Sequence, residues 1–190
     1  MADRKSSENG YQLSRLNLGG ALKRWRILNA IKQEALAAHF GVSQVTISRW
    51  ERGAFPEQRY VPAIQKLIEA RPSNHSDRAL TRLVETSTEP FFLICDVTHK
   101  LLAASPRRAQ EWHQPIEDLL GMSLWRYATE EIDRVEQEMY STGWFEDPNS
   151  ERVFYTSHAD YDEISITAGH RKVVRVPLSD GGFARLVNDY

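Results

Sequence analysis

The chain has 190 residues, of which 41% are hydrophobic and 26% charged, the ordinary composition of a soluble protein with one large domain or two small ones. No apolar run approaches the roughly 20 residues that span a bilayer, and the N-terminal stretch MADRKSSENG lacks the apolar segment of a secretory signal. A single cysteine, Cys95, excludes an internal disulfide framework. We therefore expect a cytoplasmic protein without a membrane partner.

Charge is divided unevenly along the chain, although the net charge is only −2. Residues 1–75 carry 12 Lys and Arg against 6 Asp and Glu, a balance of +6. Residues 76–190 carry 12 against 20, a balance of −8, and the two balances sum to −2. A basic head on an acidic body is the pattern expected when only the head contacts phosphate.

The first predicted elements are helical. Residues 1–17 are polar and lack periodicity, so we interpret them as a disordered tail. A helix is predicted from about Gly19 to Ala30, and another around Val61–Ala70, after a loop that contains Pro56. Together with the segment between them, these helices predict a helical bundle that spans residues 18–72.

The segment QEALAAHFGVSQVTISRWER (33–52) has the pattern of two short helices joined by a tight turn. Gly41 can end the first helix in the left-handed conformation, and Ser43 is a good N-cap for the second. Helical spacing places Ile47, Trp50 and Glu51 on one face of the second helix. The pattern is typical of a helix-turn-helix; the alternative is an ordinary helical hairpin with a solvated polar face.

The opposite face of the second helix carries groups that can recognise DNA. Gln44 can bond adenine in two places, Arg49 can do the same to guanine, and Val45 can contact a thymine methyl group. The complete set of predicted DNA-binding residues is Gln33, Ser43, Gln44, Val45, Thr46, Ser48, Arg49 and Arg52.

Residues 18–71 resemble the phage-repressor-type helix-turn-helix domain, the XRE or Cro/C1 family. The similarity lies in LKRWR (22–26), QEALA (33–37) and GVSQVTISRWERG (41–53). The resemblance implies that Gln33 bonds a DNA phosphate, that residues early in the second helix contact bases, and that Arg26 pairs with Glu51. Trp50 departs from the family, which usually has a smaller aliphatic residue there.

The stretch RPSNHSD (71–77) has the composition of a linker. A short helix follows, which we expect Asp77 or Ser76 to cap. Its apolar stripe of Leu80, Leu83 and Val84 has helical spacing and predicts either pairing with a second copy or docking on the following sheet. We interpret residues 73–88 as a linker and dimerisation helix.

The remaining residues, 89–190, predict an α+β domain. PFFLICDVTHKLLAAS has the pattern of a β-hairpin, PRRAQEW and PIEDLLG of short helices, and residues near Thr129–Tyr140 of a longer one. ERVFYTSH, HRKVVRVPL and GFARLVND are three strand candidates, with a strong turn signal at SDGG. The apolar residues assigned to the sheet are Phe91, Phe92, Leu93, Val153, Phe154, Val173, Val174, Val176, Phe183 and Leu186.

This order of two strands, short helices and three strands, together with IEDLLGMSLW (116–125), resembles a PAS domain; another small α+β sheet domain is the alternative. The predicted fold is therefore a two-domain chain, an all-α helix-turn-helix bundle followed by an α+β PAS-like domain with an antiparallel sheet. The resemblance implies a sensing or dimerising role.

No catalytic motif is found in the second domain, so we do not expect an enzyme. We predict no metal site and no cofactor: haem on His113 or a small ligand in the PAS-like domain is the alternative that no motif supports, and we interpret the acidic stretch HADYDE (158–163) as a solvated loop.

The predicted function is a sequence-specific transcriptional regulator, a dimeric repressor that binds an inverted-repeat operator in double-stranded DNA through residues 44–52. A small molecule or a protein is the expected effector. The alternatives are an antitoxin-like regulator whose second domain binds a protein partner, and an enzyme that uses the helical bundle for assembly.

Overall fold

The computed structural model describes residues 18–190 of the chain, so the predicted tail at residues 1–17 lies outside the described residues. The chain forms two compact units, which meet in the sequence between Glu69 and Ala70. The first unit is helical and the second is built on an antiparallel sheet, which confirms the predicted fold class.

Within the described residues, the first unit contains four α-helices. They are α1 (Leu18–Leu28), α2 (Gln33–Phe40), α3 (Gln44–Glu51) and α4 (Val61–Ile68), with a short 3-10 turn at Gln58–Tyr60 before α4. Each helix contributes at least one fully buried aliphatic side chain to a common core: Leu22, Leu36, Ile47 and Ile64. Burial of such a side chain contributes roughly 1.5–3 kcal/mol, which is why these short helices are stable only as a bundle.

The turn between α2 and α3 follows from two residues. Gly41 has φ = 64°, in the left-handed region, and its backbone N–H bonds the carbonyls at the end of α2. Ser43 then caps α3, because its hydroxyl accepts a hydrogen bond from the backbone N–H of Thr46 at 3.2 Å. Glycine ends one helix and serine starts the next, which sets the angle between them.

Trp50 is accommodated in the core of the first unit by aromatic neighbours. Its ring centroid lies 6.0 Å from that of Phe40 and 5.2 Å from that of Tyr60. Gly19 of α1 lies directly against the backbone of α3: a Cβ at this position would stand 1.8 Å from the carbonyl oxygen of Trp50. The two helices can approach this closely only because residue 19 has no side chain.

The second unit begins with α5 (His75–Glu85), followed by the strands β1 (Phe92–Cys95) and β2 (Leu101–Ala104). Three helices come next, α6 (Pro106–Ala109), α7 (Ile116–Leu119) and α8 (Glu130–Ser141), with a 3-10 turn at Leu124–Tyr127 before α8. The chain ends in the strands β3 (Glu151–Thr156), β4 (Ala159–Asp160), β5 (Ser165–Ile166), β6 (Gly169–Pro177) and β7 (Phe183–Asp189).

Five strands form the main sheet in the order β2-β1-β7-β6-β3, and each neighbouring pair is antiparallel. Strands β4 and β5 form a separate two-stranded ribbon, Ala159 opposite Ile166 and Asp160 opposite Ser165. Ala159 and Asp160 belong to the stretch HADYDE (158–163), which was predicted to be a solvated loop. That interpretation was wrong for these two residues, which form strand β4. Two-residue strands are too short to give an alternating pattern.

The inner face of the sheet packs against α8. Side chains from the central strands, among them Ile94, Val173 and Val187, form one cluster with Met139 of α8. Val153 lies in the sheet, as assigned, but its side chain is 45% exposed. Side chains alternate along a strand, so the neighbour Phe154 packs inward and Val153 faces outward.

Helix α5 begins at His75 and is capped by Asn74, whose side chain accepts a hydrogen bond from the Asp77 backbone N–H at 2.9 Å. The prediction that Asp77 or Ser76 caps this helix was wrong. The Asp77 carboxylate instead accepts hydrogen bonds from the backbone N–H and the hydroxyl of Ser179, in the turn between β6 and β7. Although burial raises the pKa of Asp77, these hydrogen bonds hold it below its ordinary value.

The apolar stripe of α5 is divided between two environments. Val84 is buried within its own unit, where α5 packs against β1 and β2. Leu80 is half-buried, and Leu83 is 70% exposed. Docking on the sheet therefore accounts for Val84, whose burial makes it unavailable for contact with a second copy of the chain. Leu83 remains on the surface.

Candidate DNA-binding surface

Helix α3 buries one face and exposes another. Ile47, Trp50 and Glu51 are buried in the first unit. Gln44, Val45 and Arg49 are exposed, and Val45 keeps 60% of its surface in solvent although it is apolar. One helix thus exposes an amide, an isopropyl group and a guanidinium. Each of these is a type of group that can contact base edges in a major groove.

Arg26 and Glu51 form a two-point ion pair between α1 and α3. The Nε of Arg26 donates to Glu51 Oε1 at 2.6 Å, and Nη2 donates to Oε2 at 3.0 Å. A third hydrogen bond runs from Nη1 to the carbonyl of Ile31 at 2.9 Å, beyond the end of α1. Burial raises the pKa of Glu51, but hydrogen bonds from Arg26 and Gln33 outweigh it and hold the pKa below its ordinary value.

Gln33 continues this network toward the exposed face. Its Nε2 donates to Glu51 Oε2 at 2.8 Å, and its Oε1 accepts a hydrogen bond from Gln44 Nε2 at 2.5 Å. A carboxylate only accepts hydrogen bonds, so the nitrogen end of the Gln33 amide must face Glu51 and its oxygen end must face Gln44. The charge pair therefore sets the orientation of both amides, and the carboxamide oxygen and one N–H of Gln44 remain outside this network.

The hydroxyl groups of Ser43 and Thr46, at the start of α3, form hydrogen bonds within the protein. Ser43 caps the helix, and its hydroxyl also lies 2.9 Å from that of Thr46. Ser48 is half-buried, and the Nε of Arg52 donates to its carbonyl at 3.1 Å. Of the predicted DNA-binding residues, Ser43, Gln44, Val45, Arg49 and Arg52 are exposed, whereas Gln33, Thr46 and Ser48 are half-buried.

The second unit contains a buried charge cluster that sequence reasoning missed. The Asp96 carboxylate accepts hydrogen bonds from Arg175 Nε at 2.8 Å and from Arg185 Nε at 2.6 Å, and also from the indole N–H of Trp144 at 2.9 Å. Arg185 donates two further hydrogen bonds to Glu136 of α8, at 2.5 and 2.9 Å. Alternation along β6 and β7 places both arginines on the inner face, but only the tertiary fold shows their acidic partners.

Burial raises the pKa of Asp96 and of Glu136, but neighbouring cations outweigh it and hold both pKa values below their ordinary range. These cations are Arg185 and Arg175 at Asp96, and Arg185 and His99 at Glu136. Two carboxylates and two guanidiniums balance one another. Within the described residues, no group of three or more His, Cys, Asp and Glu could hold a metal ion. His113 is half-exposed and its Nε2 lies 3.0 Å from Asp160 Oδ1.

A short helix ended by glycine, a serine-capped second helix and an exposed face that carries an amide and a guanidinium define the first unit as a helix-turn-helix module. Residues 22–68 match the family model described as "Helix-turn-helix", which is of the XRE type. This match supports a DNA-binding regulator and agrees with the resemblance that the sequence motifs indicated. No curated protein matches the chain significantly.

Two solved structures are similar to the chain, each at low sequence identity. The PAS domain of an HTR-like protein from Haloarcula marismortui is 15% identical, with a TM-score of 0.44, and the match covers 70% of this chain and all of that one. A sensory box sensor histidine kinase from Vibrio cholerae is 12% identical, with a TM-score of 0.39 over 60% of this chain and 92% of that one. Across residues 18–190, no helix has the length and apolar character needed to cross a membrane.

Proposed function

We propose that the protein is a cytoplasmic, sequence-specific transcriptional regulator that inserts α3 into the major groove of double-stranded DNA. The observation that carries this proposal is the hydrogen-bonded series Arg26–Glu51–Gln33–Gln44. It ends at an exposed amide whose orientation is fixed before DNA arrives. A group that is already oriented loses less conformational freedom on binding, so more of its hydrogen-bond energy contributes to affinity.

The exposed groups have separate roles in the proposal. Gln44 bonds adenine through its free oxygen and N–H, Val45 contacts a thymine methyl group, and Arg49 bonds guanine. Gln33, at the N-terminus of α2, bonds a phosphate through its remaining N–H. Arg52 lies at the C-terminal end of α3 and contributes positive charge toward the backbone of the DNA.

The experiment that tests this function is selection of binding sites from random duplexes, followed by affinity measurements on the selected site and on unrelated DNA. Gln44→Ala and Arg49→Ala should each cost about 1–3 kcal/mol on the selected site and relax preference at one base pair. Gln65→Ala and Lys66→Ala on α4 remove the same kinds of group and serve as controls. Equal losses on selected and random DNA would show that these side chains contact only phosphate.

We further propose that the regulator binds an inverted repeat as a homodimer. A single small helical head buries little surface on DNA, and two linked heads gain affinity through effective concentration. Leu83 of α5 supports a seam through the second unit, because it is 70% exposed although it is a large apolar residue. The outer face of edge strand β3, with Val153 and Tyr155 exposed, is the competing surface.

Sedimentation of the full chain at micromolar concentration distinguishes these surfaces. Leu83→Arg should convert a dimer to a monomer, while Val153→Arg, the same change on β3, should leave it intact. The reverse result would show that the dimer interface lies on β3. A monomer in the unmodified chain would contradict dimerisation in free solution.

The proposed output is repression through occupation of the operator. Transcription in vitro from a promoter that carries the selected site tests it: added protein should lower transcript yield, and Arg49→Ala should restore it. An increase in transcript would identify an activator.

A further inference from the structure

The second unit contains a cavity of about 130 Å³, partly open to solvent, between the inner face of its sheet and α8. Its wall is mainly apolar and aromatic, with contributions from Phe92, Trp112, Phe154, Val173 and Met139. Close-packed interiors have few voids larger than a water molecule, and an apolar cavity of about 150 Å³ is large enough for benzene. The space therefore suits a molecule with a single ring.

The charged groups in the wall are already neutralised. Arg185 is paired with Asp96 and Glu136, as described above. At the other end of β7, Arg108 and Arg171 both contact the Asp189 carboxylate, at 2.6 and 2.8 Å, and Arg108 is also paired with Glu111. Four residues of β7 separate these two ends, roughly 13 Å. Between them the strand contributes the apolar side chain of Val187 to the cavity wall. A charged ligand would find no unbalanced counter-charge.

Two polar atoms of the wall have no hydrogen bond in the part of the chain that the structure describes: the Tyr127 hydroxyl and Nε2 of His99. Tyr127 is 3% exposed and His99 7%. The His99 nitrogen lies 3.3 Å from Glu136 Oε1, and the Glu163 carboxylate lies close enough to Tyr127 to raise its pKa, but neither contact meets the distance and angle of a hydrogen bond. Burial raises the pKa of Tyr127, so its hydroxyl keeps its proton and can donate. Buried polar atoms without a partner are rare in native proteins and call for an explanation.

We propose that this cavity binds a small neutral aromatic molecule that carries one hydroxyl or carbonyl group, with that group hydrogen-bonded to Tyr127 or His99. The apolar wall contacts the ring, and the two unsatisfied atoms select the polar substituent. That such a molecule is the effector of the regulator rests on the proposed function; that it binds does not.

Four probes of similar size test each part of the proposal on the full-length chain. Benzyl alcohol has the ring and the hydroxyl, toluene lacks the hydroxyl, cyclohexylmethanol lacks the aromatic ring, and benzoate adds a charge. Calorimetric titration and thermal unfolding should show that benzyl alcohol binds best, that toluene and cyclohexylmethanol bind more weakly, and that benzoate does not bind. Benzoate binding as tightly as benzyl alcohol would overturn the charge argument, and no binding of benzyl alcohol at millimolar concentration would indicate a cavity filled with water.

Two variants connect binding to the cavity. Tyr127→Phe should weaken benzyl alcohol about three- to tenfold, the effect of one hydrogen bond, and leave toluene unchanged. Val135→Phe places a ring from α8 into the cavity wall and should abolish binding of both probes. Should that variant fail to fold, the Tyr127→Phe comparison decides: equal weakening of both probes would show that Tyr127 only shapes the wall. None of these measurements uses DNA, so failure here would leave the proposed DNA binding intact.

Discussion

Among single residues, Glu51 links the stability of the first unit to its surface, because the same carboxylate bonds Arg26 and Gln33. Glu51→Gln should lower the free energy of unfolding by about 3 kcal/mol, since Arg26 would be left without its counter-charge in a site where its side chain is only 14% exposed. Chemical denaturation, followed by circular dichroism, measures the loss.

The matched control for this change is Glu57→Gln. Glu57 also pairs with an arginine, Arg59, at 3.0 Å, but both side chains are about two-thirds exposed. Exposed pairs contribute about 0–1 kcal/mol, so the control should be nearly neutral. Equal effects of the two substitutions would show that the Glu51 pair does not stabilise the unit.

Gly19→Ala tests the close approach of α1 and α3. Alanine normally stabilises a helix by about 1 kcal/mol relative to glycine, but here its methyl group would stand 1.8 Å from the Trp50 carbonyl oxygen. We expect a net loss of about 1–3 kcal/mol or more, since the backbones must separate. Gly41→Ala is a useful comparison: it meets no atom within 4 Å and should cost only the strain of a left-handed residue, about 1–2 kcal/mol. A stabilised Gly19→Ala protein would exclude the contact.

Glu51 and Gly19 show how much a sequence can predict about the role of a single residue. The resemblance to the helix-turn-helix family indicated the Arg26 and Glu51 pair, because the family fixes both positions. Nothing local marks Gly19, which occupies a helix where glycine is unfavourable; its reason is a contact with a residue 31 positions away. A contact of that kind is a property of the packed bundle.

Among the elements, the attachment of α8 to the sheet depends on Glu136 and Arg185. Glu136 also lies 3.3 Å from His99, at the turn between β1 and β2. Because the pKa values of Glu136 and Asp96 are lower in the folded protein than in the unfolded chain, the unfolded chain binds more protons in acid. Their contribution to stability is complete above the unfolded pKa values, about 4, and is lost as the pH falls through the folded ones.

We therefore predict that the stability of the second unit is nearly constant between pH 7 and 5 and decreases steeply below about pH 4. The indole N–H resonance of Trp144, which donates to Asp96, reports this unit directly by NMR. Glu136→Gln should lower stability at pH 7 and reduce the dependence on pH. Constant stability from pH 7 to pH 3 would contradict the lowered pKa values.

The strands of the second unit could be predicted from the sequence, but the side chains that they turn toward the core could not. HRKVVRVPL and GFARLVND have the β-branched and alternating character of strands, and both form them. The same alternation leaves open which set of side chains points inward, and the buried set includes Arg171, Arg175 and Arg185. Arginine is rarely buried without a partner, and its partners here are far away in sequence; Asp96 lies 79 residues from Arg175 and 89 from Arg185.

For the whole molecule, the division of charge predicts how DNA binding responds to salt. With a balance of +6 in residues 1–75, several phosphates should be neutralised, and each releases counterions that contribute about 0.9 to the slope of log K against log salt. Titration by fluorescence anisotropy should give a slope of several units. Arg52→Ala should reduce the slope by about one, and Gln44→Ala should leave it unchanged, because only the first is proposed to neutralise a phosphate. A flat response would contradict phosphate-dominated binding by the head.

The environment of Cys95 makes the second unit suitable for kinetic study without any engineered probe. Its sulfur is fully buried and accepts a hydrogen bond from the Ala70 backbone N–H at 3.4 Å, so the start of this unit covers it. Because the chain has no other cysteine, an alkylating reagent labels this position alone. Because the sulfur is buried, the reagent can modify it only after this part of the unit opens. The rate of thiol labelling therefore measures that local opening, and any effector that stabilises the closed state would protect the sulfur in proportion to its binding.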